Sequence, residues 1–282
     1  MTDPAPPDPA RRGRAGRNLP AAVAVGVGLV VVVVASLAFY KALFLVVVAA
    51  VIIVGVWELV RAFGADGIRM PLPLLVAVIL GMLAAGYYAA RPDVSLAVLA
   101  GGFLLAAIWR LPGGADGFVR DLAATSLVLV YLPLMASFVP LLLSPPDGVR
   151  RVLTFVAVTI ASDLGGYFVG ILAGRHALAP GISPKKSWEG FAGSAAACLG
   201  VGVVCVLYLL HGVWWVGLVL GAVVVVAATA GDLIESLVKR DLGIKDMSGV
   251  LPGHGGVMDR LDSLLATVAV TWVVLTFLLP AA

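Results

Sequence analysis

The chain has 282 residues, of which 61% are hydrophobic and 12% are charged, and its mean hydropathy is +1.09. Soluble domains carry roughly 25% charged residues, so this composition indicates a membrane protein and excludes a collagen, a disulfide scaffold and a disordered chain. The formal net charge of +3 would suggest nucleic acid in a soluble protein, but basic residues in a membrane protein serve as topology signals. We therefore expect no nucleic-acid partner.

Apolar segments follow one another along most of the chain. Residues 1–18 are rich in Pro, Ala, Gly and Arg without an apolar period, which predicts a disordered basic arm. A helix needs about 20 mostly apolar residues to cross a bilayer. Nine crossings are predicted, and the fifth should kink at Pro133 and Pro140. Their approximate bounds are Leu19–Phe39, Ala42–Phe63, Pro71–Ala89, Val94–Trp109, Leu122–Leu143, Val152–Ala173, Trp188–Leu210, Val213–Gly231 and Leu264–Leu279. The predicted fold is an all-α, polytopic transmembrane helix bundle.

The positions of the basic residues predict the orientation of this bundle. With nine crossings and the N-terminus inside, 15 of the 19 Lys and Arg residues lie inside and four lie outside: Lys41, Arg91, Arg150 and Arg151. The positive-inside rule therefore supports a cytoplasmic N-terminus. Both long polar stretches, residues 174–187 and 232–263, then face the cytoplasm, where we expect the functional site.

The densest polar segment runs from Ser236 to Asp262 and combines cations, carboxylates and glycines. Carboxylate oxygens suit Mg²⁺, and Lys and Arg neutralise phosphate oxygens. Gly255 and Gly256 allow backbone N–H groups to approach an anion. The pattern indicates a site for phosphate and metal, and the alternative is a charged, solvated loop.

Three aspartates are candidate metal ligands. Asp232 lies at the rim of the eighth segment, where a carboxylate at the end of an apolar helix needs a partner or water. Asp259 and Asp262 share a face if the last helix begins near them, although Asp262 can equally be an N-cap. We expect Asp232 and Asp259 to meet near the lipid headgroups and to share divalent cations.

A second polar cluster precedes the seventh segment. Lys185 and Lys186 stand directly before a predicted helix N-terminus, which indicates a phosphate pocket. Ser187 and Glu189 can instead serve only the helix, as an N-cap and as a favourable first-turn charge. Asp163 lies near the middle of an apolar segment, where a carboxylate indicates function and a hydrogen bond between packed helices is the alternative.

These stretches resemble the phosphatidate cytidylyltransferases, also called CDP-diacylglycerol synthases. Ser236 to Asp262 follows the signature S-x-x-K-R-x4-K-D-x-S-x2-L-P-x-H-G-G-x-x-D-R-x-D. The stretch S-D-x-G-G-Y-F from Ser162 and the stretch S-P-K-K-S-W-E-G from Ser183 also agree, with Ser187 where the family usually carries Thr. The resemblance begins near residue 155, so we interpret residues 19–150 as scaffold helices and residues 151–282 as the catalytic region.

The resemblance implies that CTP and phosphatidate react to give CDP-diacylglycerol and pyrophosphate. It implies one or two Mg²⁺ ions, with room for a monovalent ion, and a homodimer in a bacterial inner membrane with the site facing the cytoplasm. Asp232, Asp259 and Asp262 are the expected metal ligands. The expected catalytic residues are Asp232, Lys239, Arg240, Lys245, Asp246, His254, Asp259 and Arg260. The expected substrate-binding residues are Asp163, Lys185, Lys186, Ser187, Glu189, Ser236, Gly255 and Gly256.

His254 is expected to be a positioning donor, because a phosphate monoester is mostly ionised at pH 7 and leaves a base little to remove. Two other functions remain open. A membrane CTP-dependent prenol or lipid kinase would have a similar nucleotide site but would transfer the γ-phosphate. An ion-coupled transporter would use Asp163 and Asp232 as pathway carboxylates, although no related halves are evident.

Overall fold

The computed structural model describes residue 28 and residues 31–250 and 255–279. Within these ranges, eight helices are long and apolar enough to cross a membrane, so the predicted all-α, polytopic bundle is confirmed. They are α1 (Lys41–Ala65), α2 (Leu72–Ala89), α3 (Pro92–Gly113), α4 (Phe118–Leu143), α5 (Gly148–Ala173), α6 (Trp188–Leu209), α7 (Trp214–Asp241) and α8 (Met258–Leu278).

The first predicted crossing is only partly described. Residues 28 and 31–39 are helical. The remainder of that segment, like the predicted arm of residues 1–18, lies outside the described residues. The cytoplasmic location of the N-terminus stays a prediction.

Three of the helices contain a π-helical segment. Helix α2 ends in the π-helical segment Ala85–Ala89, α6 ends in Cys205–Leu209, and α4 contains Val130–Leu134. Helix α4 is interrupted at residue 137, between Pro133 and Pro140, before it continues as Phe138–Leu143. The interruption coincides with the predicted kink, because each proline lacks the N–H that would continue the hydrogen-bond ladder.

Two helices extend further into the polar segments than predicted. Helix α7 continues past Gly231 to Asp241, and α8 begins at Met258 rather than at Leu264. The predicted bounds followed hydropathy, but the end of α7 is stabilised by the Glu235–Lys239 pair (Nζ–Oε2 2.5 Å) and by basic residues in its last turn. Much of the predicted polar loop is therefore helix.

A short β-hairpin occupies the other polar stretch. Strand β1 (Ala177–Ala179) pairs with strand β2 (Ser183–Ser187) in antiparallel orientation. These strands were not predicted. Lys185 and Lys186 lie on β2, directly before α6, so the hairpin places both lysines beside the N-terminus of that helix.

Small residues bring the helices around the hairpin into close contact. A Cβ atom at Gly165 of α5 would lie 2.6 Å from the carbonyl oxygen of Gly193 on α6. A Cβ atom at Gly202 of α6 would lie 2.5 Å from the carbonyl oxygen of Gly217 on α7. Small residues at such positions allow membrane helices to approach closely. This packing joins α5 to α6 and α6 to α7.

Two buried clusters form the core. The first packs residues of α1, α2 and α4 against Met258, Leu261 and Leu265 of α8, and the second joins α5, α6, α7 and α8. Helix α8 therefore contacts both halves of the chain. The division at residue 150 into scaffold and catalytic regions stays a prediction, although the packing of α8 crosses it.

Candidate active site

A cavity of about 410 Å³ lies between α5, α6, α7, α8 and the hairpin. We call it the aspartate cavity, because carboxylates from three helices line it. Its lining includes eight of the predicted site residues: Asp163, Lys185, Lys186, Ser187, Asp232, Asp259, Arg260 and Asp262. These residues are far apart in the sequence, and the fold brings them to one place.

The two lysines of the hairpin differ in their contacts. Lys186 Nζ forms an ion pair with Asp232 Oδ2, which ties β2 to α7. Lys185 lines the same cavity without an ion-pair partner in the described part of the chain. A lysine that is not paired with a carboxylate can bind an anion without first breaking an ion pair. Lys185 is therefore the better placed of the two to bind a phosphate directly.

Three carboxylates stand close together on one side of the cavity. The carboxyl groups of Asp232 and Asp262 contact each other. Ser263 Oγ lies 3.4 Å from Asp163 Oδ2, and the backbone N–H of Ser263 donates to Asp262 Oδ1 over 2.7 Å. Neighbouring carboxylates repel when both are ionised, and a cation removes that repulsion. The arrangement is suited to binding positive charge.

The donor set fits Mg²⁺, although no described group of three or more His, Cys, Asp or Glu residues is arranged as a metal site. Mg²⁺ is usually held by one or two carboxylates together with waters and substrate phosphates. A pair such as Asp232 and Asp262 is therefore sufficient on the protein side.

Asp259 already has several partners within the protein. Its Oδ1 accepts from Lys239 Nζ over 2.9 Å, and its Oδ2 accepts from the backbone N–H groups of Met247 and Gly256 over 3.2 and 2.7 Å. Its carboxylate also contacts the side chain of Glu235, so these contacts use most of the roughly four acceptor positions that a carboxylate offers. Asp259 reaches the cavity, but its contacts mainly hold the segment before α8 in place.

Lys239 joins α7 to α8. Besides Asp259 it contacts Glu235, whose other oxygen, Oε1, is buried without a hydrogen-bond partner among the described residues. Arg240 Nε donates to the carbonyl oxygen of Ile182 over 2.5 Å and so connects α7 to the hairpin turn. Both predicted phosphate ligands therefore have internal partners and do not line the cavity.

The other predicted residues are less closely associated with the cavity. Lys245 and Asp246 are exposed in the segment between α7 and α8, and Ser236 lies on α7 away from the cavity lining. Arg260 lines the cavity. His254 lies outside the described residues, and its expected role stays a prediction.

The glycine turn before α8 binds carboxylates of the protein itself. Gly255 adopts φ +83°, a left-handed conformation that glycine tolerates. The N–H of Gly256 donates to Asp259, while the N–H groups of Val257 and Met258 donate to Glu58 over 2.9 and 2.8 Å. The Gly256 N–H, which was expected to face a substrate anion, thus already has an acceptor within the protein.

Sequence reasoning missed Glu58. It is 1% exposed on α1, and its side chain accepts from residues about 200 positions later in the chain. A signal was available, because Glu58 is the only carboxylate in the predicted crossing Ala42–Phe63 and such a residue needs a partner. Nothing in the local pattern identifies that partner.

Ser187 is the N-cap of the alternative interpretation, whereas Glu189 forms contacts that were not predicted. Ser187 Oγ caps α6 by accepting from the Gly190 N–H over 3.1 Å, and it also lines the cavity. Glu189 accepts from the backbone N–H groups of Arg175 and His176 and contacts His176 Nδ1 over 2.6 Å. Glu189 does not line the cavity, so its contacts hold the hairpin against α6.

Comparison with known proteins connects this site to an enzyme family. Residues 20–278 match the sequence profile described as the cytidylyltransferase family. The chain is 42% identical to the phosphatidate cytidylyltransferase of Mycobacterium leprae (strain TN), over 94% of this chain and 90% of the relative. It is 40% identical to the protein of the same name from Mycobacterium bovis, with the same coverage. A phosphatidate cytidylyltransferase of Brucella suis biovar 1 is 41% identical over 45% of this chain and 47% of its own length.

These similarities extend through both halves of the chain. They confirm the resemblance that the three C-terminal motifs indicated and the expected enzyme class, a nucleotidyltransferase. The similarities also include the N-terminal helices, which the three motifs do not cover. The chain therefore belongs to the cytidylyltransferase family.

Proposed function

We propose that this protein is a phosphatidate cytidylyltransferase, which makes CDP-diacylglycerol and pyrophosphate from CTP and phosphatidate. The observation that carries the proposal is the aspartate cavity, where two lysines and an arginine lie beside three neighbouring carboxylates from three membrane helices. The two substrates are both anionic, so the barrier to reaction is largely repulsion and positioning. The relatives that share most of the chain carry the name of this reaction.

In the proposed reaction, a phosphate oxygen of phosphatidate attacks the α-phosphorus of CTP. The new P–O bond forms as the bond between the α-phosphorus and the bridging oxygen breaks, and pyrophosphate leaves with the electron pair. The substrate supplies the nucleophile, so no side chain needs to form a covalent intermediate. The protein must bring the two phosphates together and neutralise them.

The cations of the cavity have distinct proposed roles. Lys185, which has no ion-pair partner among the described residues, binds a phosphate oxygen directly. Lys186 exchanges its contact with Asp232 for a phosphate when substrate enters. Arg260 contributes a third positive charge at the start of α8. Lys239 and Arg240 act from outside the lining by holding α7 against α8 and the hairpin.

Asp232 and Asp262 are the residues that would hold Mg²⁺, and Asp259 lines the same cavity beside them. Bound there, the metal would neutralise the triphosphate and stabilise charge on the leaving pyrophosphate. Asp163 lies near this pair, because its Oδ2 is 3.4 Å from the Oγ of Ser263, the residue after Asp262. Its carboxylate adds negative charge to the same side of the cavity. Neutralising that charge is the reason that we expect turnover to depend on a divalent cation.

A labelling assay tests the proposal. The purified protein in detergent is given phosphatidate, Mg²⁺ and CTP labelled at either the α- or the γ-phosphate, and both lipid and pyrophosphate are followed. We expect the α-label to enter lipid and pyrophosphate to be released in equal amount. Label from the γ-phosphate in lipid would instead support a kinase, and no transfer of either label would contradict the proposed cytidylyltransferase.

The proposal also places the enzyme in the bacterial inner membrane with the aspartate cavity on the cytoplasmic side. Reporter fusions test this orientation: a reporter inserted in the hairpin turn should lie in the cytoplasm, and one fused after Ala282 should lie outside it. The opposite result at either position would refute the orientation. The homodimer implied by the resemblance is tested by cross-linking in the membrane.

A further inference from the structure

Glu58 receives three hydrogen bonds from the segment that leads into α8. Its Oε1 accepts from Ser248 Oγ and from the Val257 N–H, and its Oε2 accepts from the Met258 N–H. Burial of a carboxylate is costly unless hydrogen bonds compensate the loss of water. Three donors aimed at one buried side chain indicate a contact for which the fold is organised.

This contact replaces a cap that α8 lacks. The N-cap position is Val257, whose side chain cannot accept a hydrogen bond, and no side chain within the helix takes that role. The first N–H groups of a helix need acceptors, and a negative charge at this end is favoured by the helix dipole. Glu58 supplies both from a different helix, α1.

Gly256 shows how closely Glu58 approaches the turn. A Cβ atom at this position would lie 2.8 Å from Glu58 Oε2 and 3.0 Å from Oε1. A Cβ atom here would therefore displace the Glu58 carboxylate from its present position against the backbone. Its own N–H donates to Asp259, so Glu58 and Asp259 bind consecutive amides of one turn.

We propose that Glu58 is a positioning residue for the active site, acting through the first turn of α8. It fixes the start of the helix that carries Asp259, Arg260 and Asp262, and it also holds Ser248 of the preceding segment. The N-terminal half of the chain therefore contributes to the geometry of the site and is not only a scaffold. This inference rests on the proposed function for the reaction that it supports.

Two substitutions address the same contact from opposite sides. Glu58→Gln keeps the shape of the side chain but turns one acceptor into a donor that faces an N–H group. Gly256→Ala inserts a methyl group against the carboxylate. Each should lower kcat by about 10- to 100-fold, the usual effect of losing a partner that orients a site. KM for both substrates should stay close to wild type, because Lys185 and Lys186 are untouched.

The opposite end of α8 offers a matched control. Arg151 donates to the carbonyl oxygens of Leu275 and Leu279 over 2.9 and 2.7 Å, and its Nε pairs with Asp147 over 2.9 Å. Asp147→Asn should lower the thermal unfolding midpoint by weakening this C-terminal cap. It should leave kcat near that of wild type, since no residue of this network lines the aspartate cavity.

Hydrogen exchange read by mass spectrometry separates positioning from a general loss of stability. In Glu58→Gln, the peptide with Val257 and Met258 should exchange faster, while peptides of α6 stay unchanged. In Asp147→Asn, exchange at these two amides should stay unchanged. The double variant Glu58→Gln/Gly256→Ala should lose little more kcat than either single variant, because both changes break one contact.

Several results would overturn the inference. Unchanged exchange at Val257 and Met258, or losses of kcat that multiply in the double variant, would show that Glu58 does not hold this turn. If Glu58→Gln does not fold, Ser248→Ala and Gly256→Ala provide the same measurements. Absence of turnover in the wild type would refute the proposed function, while the exchange data would still test whether Glu58 holds α8.

Discussion

Two polar cavities of similar size lie in the described part of the chain, and their charged residues make different contacts. The aspartate cavity measures about 410 Å³, and the second, which we call the arginine cavity, measures about 460 Å³. The arginine cavity is lined by Arg69, Arg110, Arg120, Asp116, Asp121 and three glycines, all from the N-terminal half. Charge and volume alone do not distinguish the two.

The difference lies in the sign of the groups that meet: opposite charges pair in the arginine cavity, whereas two carboxylates meet in the aspartate cavity. In the arginine cavity, buried Arg110 pairs with buried Asp121 over 2.7 Å and also donates to the carbonyl oxygen of Asp116. Arg120 donates to the carbonyl oxygen of Gly67. These contacts hold two loops together. In the aspartate cavity, Lys185 has no described ion-pair partner and Asp232 faces Asp262, so charge remains for a ligand.

The largest effect is expected from Asp232→Asn. The change removes half of the carboxylate pair and the partner of Lys186, so we expect kcat to fall by about 10²- to 10³-fold, as for other charge-stabilising groups in active sites. The matched change in the arginine cavity, Asp116→Asn, should leave kcat near that of wild type. Steady-state lipid labelling measures both, and equal losses in the two variants would remove the distinction between the cavities.

A smaller effect is expected from Lys186→Met and Lys185→Met. Loss of one charged hydrogen bond to substrate, worth about 1.5–3 kcal/mol, should raise KM by about 10- to 100-fold. KM for CTP and KM for phosphatidate, measured separately, will assign each lysine to the nucleotide or the lipid. The control Arg120→Met should change neither value. Unchanged KM values in both lysine variants would refute direct binding of phosphate by the hairpin.

Arg110→Met should affect stability rather than catalysis. It leaves Asp121 buried without its cation, which costs about 3–5 kcal/mol. We expect a lower thermal unfolding midpoint and a wild-type KM in the folded fraction. Asn in place of Asp121 removes the unpaired charge, so Arg110→Met/Asp121→Asn should recover part of the midpoint. A raised KM at a wild-type midpoint would instead mark the arginine cavity as a substrate site.

The smallest effect is expected from Glu189→Gln. Glu189 contacts His176 and two backbone N–H groups at an exposed position outside the cavity lining. Exposed pairs of this kind contribute little, and Glu189 does not line the cavity, so kcat/KM should fall less than about fivefold. A loss as large as that of Lys186→Met would show that Glu189 contacts substrate, as the resemblance implies.

Hydropathy predicted the bundle well because the cost of placing a polar side chain in lipid is large and local. It predicted helix ends poorly where helices leave the apolar layer. Helix α7 continues to Asp241 through the Glu235–Lys239 contact and favourable dipole interactions, which a hydropathy profile does not register. Strands β1 and β2 were missed for a similar reason, since their pairing depends on backbone hydrogen bonds in a short polar stretch.

The residues of the aspartate cavity were predictable because charge next to apolar segments is rare, and Asp163, Lys186 and Asp232 stand out in the sequence. Their partners were not predictable. The pairing of Lys186 with Asp232 and of Glu58 with Met258 joins residues far apart in the chain, and no local pattern encodes such contacts. Sequence reasoning therefore identified the charged residues of the cavity but not the contacts between them.

The central claim is that the aspartate cavity, and not the arginine cavity, receives the nucleotide. Photoaffinity labelling with a light-activated CTP analogue, followed by peptide mapping, tests it most directly. We predict that the label attaches to peptides within residues 162–191 or 228–263 and that excess CTP prevents it. CTP-sensitive label on residues 67–69 or 110–121 would contradict the account.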